Sequence, residues 1–179
     1  MTHAVIKDSF LYGACLQTAK LRHAKLNRVN LQKSILKRAD LNSIQIFDSD
    51  LSGSDMSRAE INHAVIKDSF FVEAALFSAQ MKSAKLSRVS LKGCSLDYAK
   101  LDFIQMSQSD LTAAHMDGVW MRRAKLEDTL CPDLDRISFF NGTETVVNGI
   151  MCEPKFGIGD PVEQILSVKD YETTKCAIM

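Results

Sequence analysis

The sequence predicts an all-β solenoid, a chain wound into a square coil every twenty residues, and three observations predict it. Every fifth residue from Ile6 to Leu126 is large and apolar, 25 positions in unbroken register. With 46% of all residues apolar, chance yields such a run with a probability on the order of 10⁻⁸. Two residues before each of these lies a small one, from Ala4 and Ser9 to Ala124; of these 25 positions, 13 are Ala and 6 are Ser. A longer repeat overlies the short one: His3–Phe10 recurs as His63–Phe70, and Ala24–Val29 returns as Ala84–Val89 with one change, at an offset of 60 residues.

A period of five matches neither the 3.6-residue helix nor the two-residue strand. On a helix, one stripe at that period drifts around the axis and makes no face. It fits a chain that turns a corner every five residues and closes a coil after four. The large residue points inward from the middle of each side, and the small one points inward where only Ala, Ser or the like fits. Coils then stack and bury one another's interior. Sixty residues are three such coils. Duplication of a three-coil block accounts for the long repeat; a binding surface repeated along the rod is the sharper reading.

The pentapeptide unit is most regular at Ala39-Asp40-Leu41-Asn42-Ser43, with Ser49-Asp50-Leu51 and Ser109-Asp110-Leu111 close to it. On these residues the sequence resembles the pentapeptide-repeat family, whose unit is Ala-(Asp/Asn)-Leu-x-x, over residues 4 to about 128. The resemblance implies a right-handed quadrilateral β-helix, four pentapeptides to a coil. The Asp/Asn slot departs from the family pattern: it holds Asp or Asn only at Asn30, Asp40, Asp50, Asp55 and Asp110, and elsewhere residues such as Lys20, Lys25, Lys85, Lys100, Lys125, Phe10, Phe70 or Trp120.

The elements divide the chain into a solenoid over 1–131, a cap over 132–172 and an expected flexible tail over 173–179. The N-terminus carries no apolar stretch of signal-peptide type, and the repeat begins almost at once, so the first coil is left uncovered. That end is expected to be covered by a partner, by a second copy of the chain in a homodimer, or by nothing at all. After Cys131-Pro132, two Asn-Gly pairs (141–142 and 148–149) punctuate β-branched and aromatic runs, a hairpin signal. They predict a three-stranded meander closing the open end of the solenoid. Asp160-Pro161-Val162-Glu163 reads as an N-cap, a first-turn proline and a capping-box acid, predicting a short helix over about 161–170.

Composition excludes several classes. Lys+Arg and Asp+Glu are both 22 in 179 residues, a formal net charge of zero, which argues against a uniformly basic nucleic-acid binder. Five cysteines without dense spacing do not make a disulfide scaffold, and no apolar stretch is long enough for a spanning helix. Phosphate-binding glycine loops and the metalloprotease and Cys-x-x-Cys motifs are absent, so the chain reads as a non-enzyme with no cofactor and no metal. His3, His23 and His63 share one outward slot, with His3 and His23 one coil apart, about 4.8 Å, but two histidines without a third ligand make a poor metal site. An enzyme would need a site near Cys131 or Cys152. Asn141-Gly142-Thr143 is formally a glycosylation sequon and reads better as a turn.

The end of the chain is distinctive. Cys176-Ala177-Ile178-Met179 is a C-a-a-X ending of the farnesylated type, so Cys176 is the predicted lipidation site, a prenyltransferase the predicted modifying partner and a farnesyl group the predicted covalent modification. That places the protein in the cytosol, at a membrane through its lipid. Because the family is mostly bacterial and the motif works in eukaryotic cytosol, a bacterial effector that uses host prenylation is one reading. A cytosolic bacterial binding protein with an unused tail is another. One lipid chain anchors only marginally. A second contact is available in a basic face made of Arg22, Lys25, Arg28, Lys82, Lys85, Arg88, Arg122, Arg123 and Lys125, which all fall on one side of a twenty-residue coil. That face suits anionic lipid or an acidic partner. Outward apolar residues (Phe10, Tyr12, Phe47, Phe70, Val72, Phe77, Phe103 and Trp120) are further contact candidates for a protein partner.

The best-known activity that the resemblance implies is DNA mimicry by quinolone-resistance topoisomerase inhibitors. A rod of about six coils, near 30 Å, would need roughly 18 negative charges to copy duplex DNA. Residues 1–131 carry 18 basic and 14 acidic side chains, and 132–179 carry 4 and 8. The repeat is net positive, which disfavours mimicry. The leading expectation is a non-enzymatic interaction scaffold, prenylated at one end.

Overall fold

A computed structural model describes residues 2–132, 140–141, 144–148 and 150–152. The four-sided β-solenoid is present, with about seven turns and, among the described residues, no helix. One side forms a continuous sheet from β1 (Val5–Phe10), β2 (Lys25–Asn30), β3 (Gln45–Phe47), β4 (Val65–Phe70), β5 (Lys85–Ser90), β6 (Gln105–Ser107) and β8 (Lys125–Glu127), β7 (Val119–Trp120) lying on a neighbouring side. Each strand pairs in parallel with the next at an offset of twenty, as Val5 with Lys25 and Gln45 with Val65. The six-residue strands run past a left-handed corner onto the next side, where Asn30, Asp50 and Phe70 align; the remaining two sides are mostly ladders of single bridges, such as Cys15 to Ile35 to Asp55 and Lys20 to Asp40 to Glu60. The sixty-residue repeat is visible in strand length: six, six and three residues for β1–β3, and six, six and three again for β4–β6.

Both stripes point inward as the five-residue period requires. Leu31, Leu36, Leu41, Ile46 and Leu51 are buried around successive coils, with Ala24, Ala39, Ala59 and Ala64 fully buried beside them. The corners explain the strictness of the pattern. Every fifth residue takes a left-handed φ, His23 at 58°, Arg28 at 53°, Lys33 at 54° and Arg38 at 56°, and few of these are glycine. An L-residue there costs on the order of 1 kcal/mol, so the corners are imposed by the packed interior and not by local preference.

The Asp/Asn slot has a structural use. In all five pentapeptides that keep it, the side chain accepts the backbone N–H two residues on: Gln32 to Asn30 (3.0 Å), Asn42 to Asp40 (3.2 Å), Ser52 to Asp50 (2.9 Å), Ser57 to Asp55 (3.0 Å) and Thr112 to Asp110 (2.8 Å). These are Asx turns that cap the amide entering the next corner.

The two ends differ. In the first coil Ala4, Ile6, Leu11, Leu16 and Ala19 are only partly buried, while their counterparts further along are covered. At the other end the chain goes on winding past Cys131. β9 (Phe140–Asn141) pairs in parallel with β7, and β10 (Thr145–Val147) pairs in parallel with β8, both now at an offset of 21 residues. β11 (Ile150–Cys152) then returns antiparallel to β10 through a turn at Asn148, whose φ is 47°. The expected meander is therefore only a hairpin, β10–β11. The free edge at β7 offered Phe140–Asn141 a parallel partner, and the strand took it in place of β10. This added turn makes the rod longer than the six coils of the regular repeat. Thr145, buried against the last regular coil, donates its hydroxyl to the Met121 carbonyl. The expected helix over 161–170 lies outside the described residues.

Candidate functional site

With a period of twenty, residues at equal coil positions stack in straight columns, and the predicted basic residues occupy three neighbouring strips: the corner at 22, 82, 122 and 123, the sheet at 25, 85 and 125, and the far corner at 28 and 88. The structure divides them by chemistry. The five arginines are each committed to a carboxylate: Arg28 to Asp8 (2.5 and 2.9 Å), Arg88 to Asp68 (2.5 and 2.8 Å), Arg122 to Asp102 (3.1 and 2.8 Å), Arg22 to Asp40 (3.3 Å) and Arg123 to Glu144 (2.6 Å). Lys25, Lys82, Lys85 and Lys125 make no ion pair among the described residues.

The ion pairs leave their mark on the carboxyls. The bidentate hydrogen bond from Arg28 holds the Asp8 carboxyl below the usual carboxylate range, and Arg88 does the same for Asp68. Asp102 is the most buried of these acids. Burial alone opposes its charge, but the Arg122 guanidinium and backbone N–H together outweigh that, and its carboxyl also sits low. Asp8–Arg28 and Asp68–Arg88 are the same pair sixty residues apart, so the duplication reaches the surface chemistry as well as the core.

Two shallow grooves run along these strips. One, of about 410 Å³, follows the corner past Arg22, His23, Asn62, His63, Lys82 and Lys100. Its floor is a side-chain ladder in which Asn62 donates to Asn42 Oδ1 (2.9 Å) and the Lys82 backbone N–H donates to Asn62 Oδ1 (3.0 Å). The other, of about 350 Å³, lies on the sheet between Lys67, Lys85, Gln105 and Lys125, with Glu127 at its edge. Lys67 was not in the predicted face; its column, shared with Lys7 at the duplication offset, is the signal that finds it.

The remaining candidates separate. His3 and His23 stack face to face, ring centroids 4.9 Å apart at 9°, and no group of three metal-ligating side chains occurs among the described residues. Cys131 is buried, and Cys94, also buried, has its thiol pushed up to about 12 by desolvation. Of the outward apolar residues, Phe10, Tyr12, Phe70, Phe77, Phe103 and Trp120 are exposed and Phe47 and Val72 half-buried. Phe10 and Phe70 share one coil position and Tyr12 and Val72 another; the rest are spread around the coil. Phe103 sits beneath the Lys82 ammonium (5.5 Å) and beside the Arg123 guanidinium (6.0 Å), and Trp120 beneath Arg122 (5.6 Å). Tyr98, which the sequence reading passed over, is exposed and packs edge-on to Phe77 at 5.6 Å. Cys176, Ala177, Ile178 and Met179 lie outside the described residues.

A four-sided coil of five-residue units, capped by Asx turns and bearing no metal cluster among its described residues, defines a scaffold-type solenoid. The model of the pentapeptide-repeat family matches eight copies, over residues 14–53 and 90–128. Among solved structures, the chain is similar to HetL, a pentapeptide repeat protein involved in heterocyst differentiation regulation from the cyanobacterium Nostoc. Identity is 23% over 72% of this chain and 61% of that one, with a TM-score of 0.51. The chain thus spans about three-fifths of HetL's length, and the likeness establishes the fold alone. It also aligns with QnrB1, a plasmid-mediated fluoroquinolone resistance protein, at 14% identity over 82% of this chain and 84% of that one, TM-score 0.49. A pentapeptide repeat protein of the cyanobacterium Cyanothece aligns at 20% identity over 70% and 90% of the two chains, TM-score 0.33. No curated protein matches the chain in sequence.

Proposed function

We propose that this chain is a non-enzymatic interaction rod, farnesylated at Cys176 and held by that lipid at a membrane, where its side faces engage a protein partner. The observation that carries the reading is the Cys176-Ala177-Ile178-Met179 ending, which joins a prenylatable cysteine to two aliphatic residues and a methionine. The scaffold suits the role: side chains on straight ladders form long, preset surfaces that need no rearrangement to bind. A bacterial effector modified by its host's prenyltransferase accommodates both the family and the motif. The partly exposed first coil offers a second copy a place to stack, and sedimentation across a concentration series tests that, a strict monomer ruling it out.

The main test is expression in eukaryotic cells of the wild type beside Cys176→Ser. The wild type is expected in the membrane fraction, with a farnesyl-sized mass increase, and the variant in the soluble fraction. Identical distribution of the two, or no mass increase, refutes the lipid anchor.

A further inference from the structure

We propose that the sheet face formed by β1–β6 and β8 is the surface the rod lays against an anionic bilayer, through Lys7, Lys25, Lys67, Lys85 and Lys125. The proposal rests on the membrane reading above and specifies which side of the rod meets the lipid.

Counted along the sequence, the arginines and lysines of the basic strips look alike. In the folded chain they do not. An arginine that already holds a carboxylate in a bidentate pair presents a neutral couple to its surroundings, and all five arginines of the predicted face are paired. On the side before the left-handed corner at Asp8, Arg28, Asp68 and Arg88, the outward positions of the sheet carry five lysines against a single carboxylate, Glu127; Asp8 and Asp68, at the corner itself, are taken by Arg28 and Arg88. All five lysines are exposed and none is in an ion pair among the described residues. The corner that β1, β2, β4 and β5 turn carries Asp8, Asp48, Asp68 and Asp128 beside Arg28, Arg88 and Gln108, so the unpaired positive charge of this face stops at the lysine strip.

The spacing suits a surface of diffuse negative charge. At about 4.8 Å per coil, Lys25 and Lys85 are three coils apart, about 14 Å, and Lys85 and Lys125 two coils, about 10 Å. Those intervals are close to a Debye length at physiological salt, so each lysine acts on lipid headgroups nearly independently. No aromatic ladder for stacking bases accompanies them: Phe47 lies half-buried among the lysines, and Phe10 and Phe70, exposed past the corner at the ends of β1 and β4, stand three coils apart. This favours lipid over single-stranded nucleic acid.

The course of the chain agrees. β10 and β11 join this same sheet, so the backbone leaves the last described strand, at Cys152, from the end of the lysine face. Cys176 follows 24 residues later, a reach of at most about 80 Å. The lysines themselves span six coil steps, about 29 Å. A lipid on Cys176 can therefore enter the bilayer while the sheet lies flat upon it.

The test uses the full chain carrying Cys176→Ser, so that binding reports the face and not the lipid. Partition is measured on phosphatidylcholine vesicles with and without phosphatidylserine. A lysine near such a surface contributes about fivefold to binding. The triple variant Lys67→Gln, Lys85→Gln, Lys125→Gln should thus lose about a hundredfold on phosphatidylserine vesicles. A triple variant of equal charge change on other sides of the rod, Arg38→Gln, Arg58→Gln, Lys92→Gln, should lose less than about fivefold. Three results each overturn the proposal: no preference of the parent protein for phosphatidylserine, equal losses in the two triple variants, or tighter binding to a single-stranded oligonucleotide than to the vesicles. The cell fractionation of Cys176→Ser judges the lipid anchor separately, so either reading can fail without the other.

Discussion

Ser54 is a buried hydroxyl without a hydrogen-bond partner among the described residues, in a stripe where alanine is the commonest residue. The other buried serines of that stripe are satisfied: Ser34 donates to the Leu31 carbonyl (2.7 Å), Ser49 to Phe47 (2.7 Å), Ser69 to Lys67 (2.7 Å) and Ser109 to Ser107 (2.9 Å). Ser34 and Ser54 occupy the same coil position one turn apart, and Ala74 occupies it in the turn after. The site therefore accepts alanine without rearrangement. Leaving a hydroxyl buried and unpaired costs about 1–3 kcal/mol, so Ser54→Ala should stabilise the fold by about 1 kcal/mol after the loss of one packed oxygen. Ser34→Ala removes a made hydrogen bond and should cost about 1 kcal/mol. The two variants change the same atom in the same column with opposite signs. The resulting gap of about 2 kcal/mol corresponds to roughly 4–8 °C in melting temperature for a chain of this size. Urea denaturation followed by circular dichroism reads the effect directly, provided the slopes agree so that a shifted midpoint reports stability alone. If Ser54→Ala destabilises as much as Ser34→Ala, the unpaired hydroxyl is not the liability argued here.

Two further outcomes follow from the core and the ion pairs. Leu76, fully buried in a middle coil, should cost about 2–5 kcal/mol as Leu76→Ala, whereas Leu16→Ala in the partly exposed first coil should cost less than half as much; equal losses in urea midpoints would mean that the first coil is covered in solution. Asp102 has its carboxyl held low in the folded state by Arg122, so its stabilising contribution is in full force above the unfolded carboxylate range, near pH 4, and is lost as pH falls through the lower, folded value. Asp102→Asn should therefore weaken the protein at neutral pH, with the gap to wild type closing in acid; a gap that is constant from pH 7 to pH 3 contradicts this.

What the sequence discloses depends on whether a feature obeys the period. The inward stripes do, because each coil repeats the same geometry, and the Leu and Ala positions read off the chain are the buried ones. The corners do not: left-handed φ falls on His23, Arg28, Lys33 and Arg38, residues with no preference for it, since tertiary packing selects the position. The neutralised arginines are a mixed case. Arg28–Asp8, Arg88–Asp68 and Arg122–Asp102 are each twenty residues apart, so the coil length predicts their contact once it is applied to the surface as well as the core. Arg22–Asp40 crosses between columns, and Arg123–Glu144 spans 21 residues because the last turn is one residue longer. The first Asn-Gly pair misleads for a related reason: a local hairpin signal at 141–142 competes with a free solenoid edge, and the edge takes β9.

Because the interior repeats every five residues and the exterior every twenty, the two are indifferent to each other's phase. Loss or gain of one pentapeptide leaves every inward Leu and Ala in place yet swings all later side chains a quarter turn about the axis, so that the lysines of β5 and β8 would leave the column begun by β2. Only changes of twenty residues keep the exterior aligned, and only changes of sixty also restore the alternation of Asp8–Arg28 with Asp68–Arg88. The same rod can thus be lengthened, shortened or re-faced by small genetic steps that folding itself does not penalise, and the sixty-residue duplication is the mark of one such step that kept every face in phase.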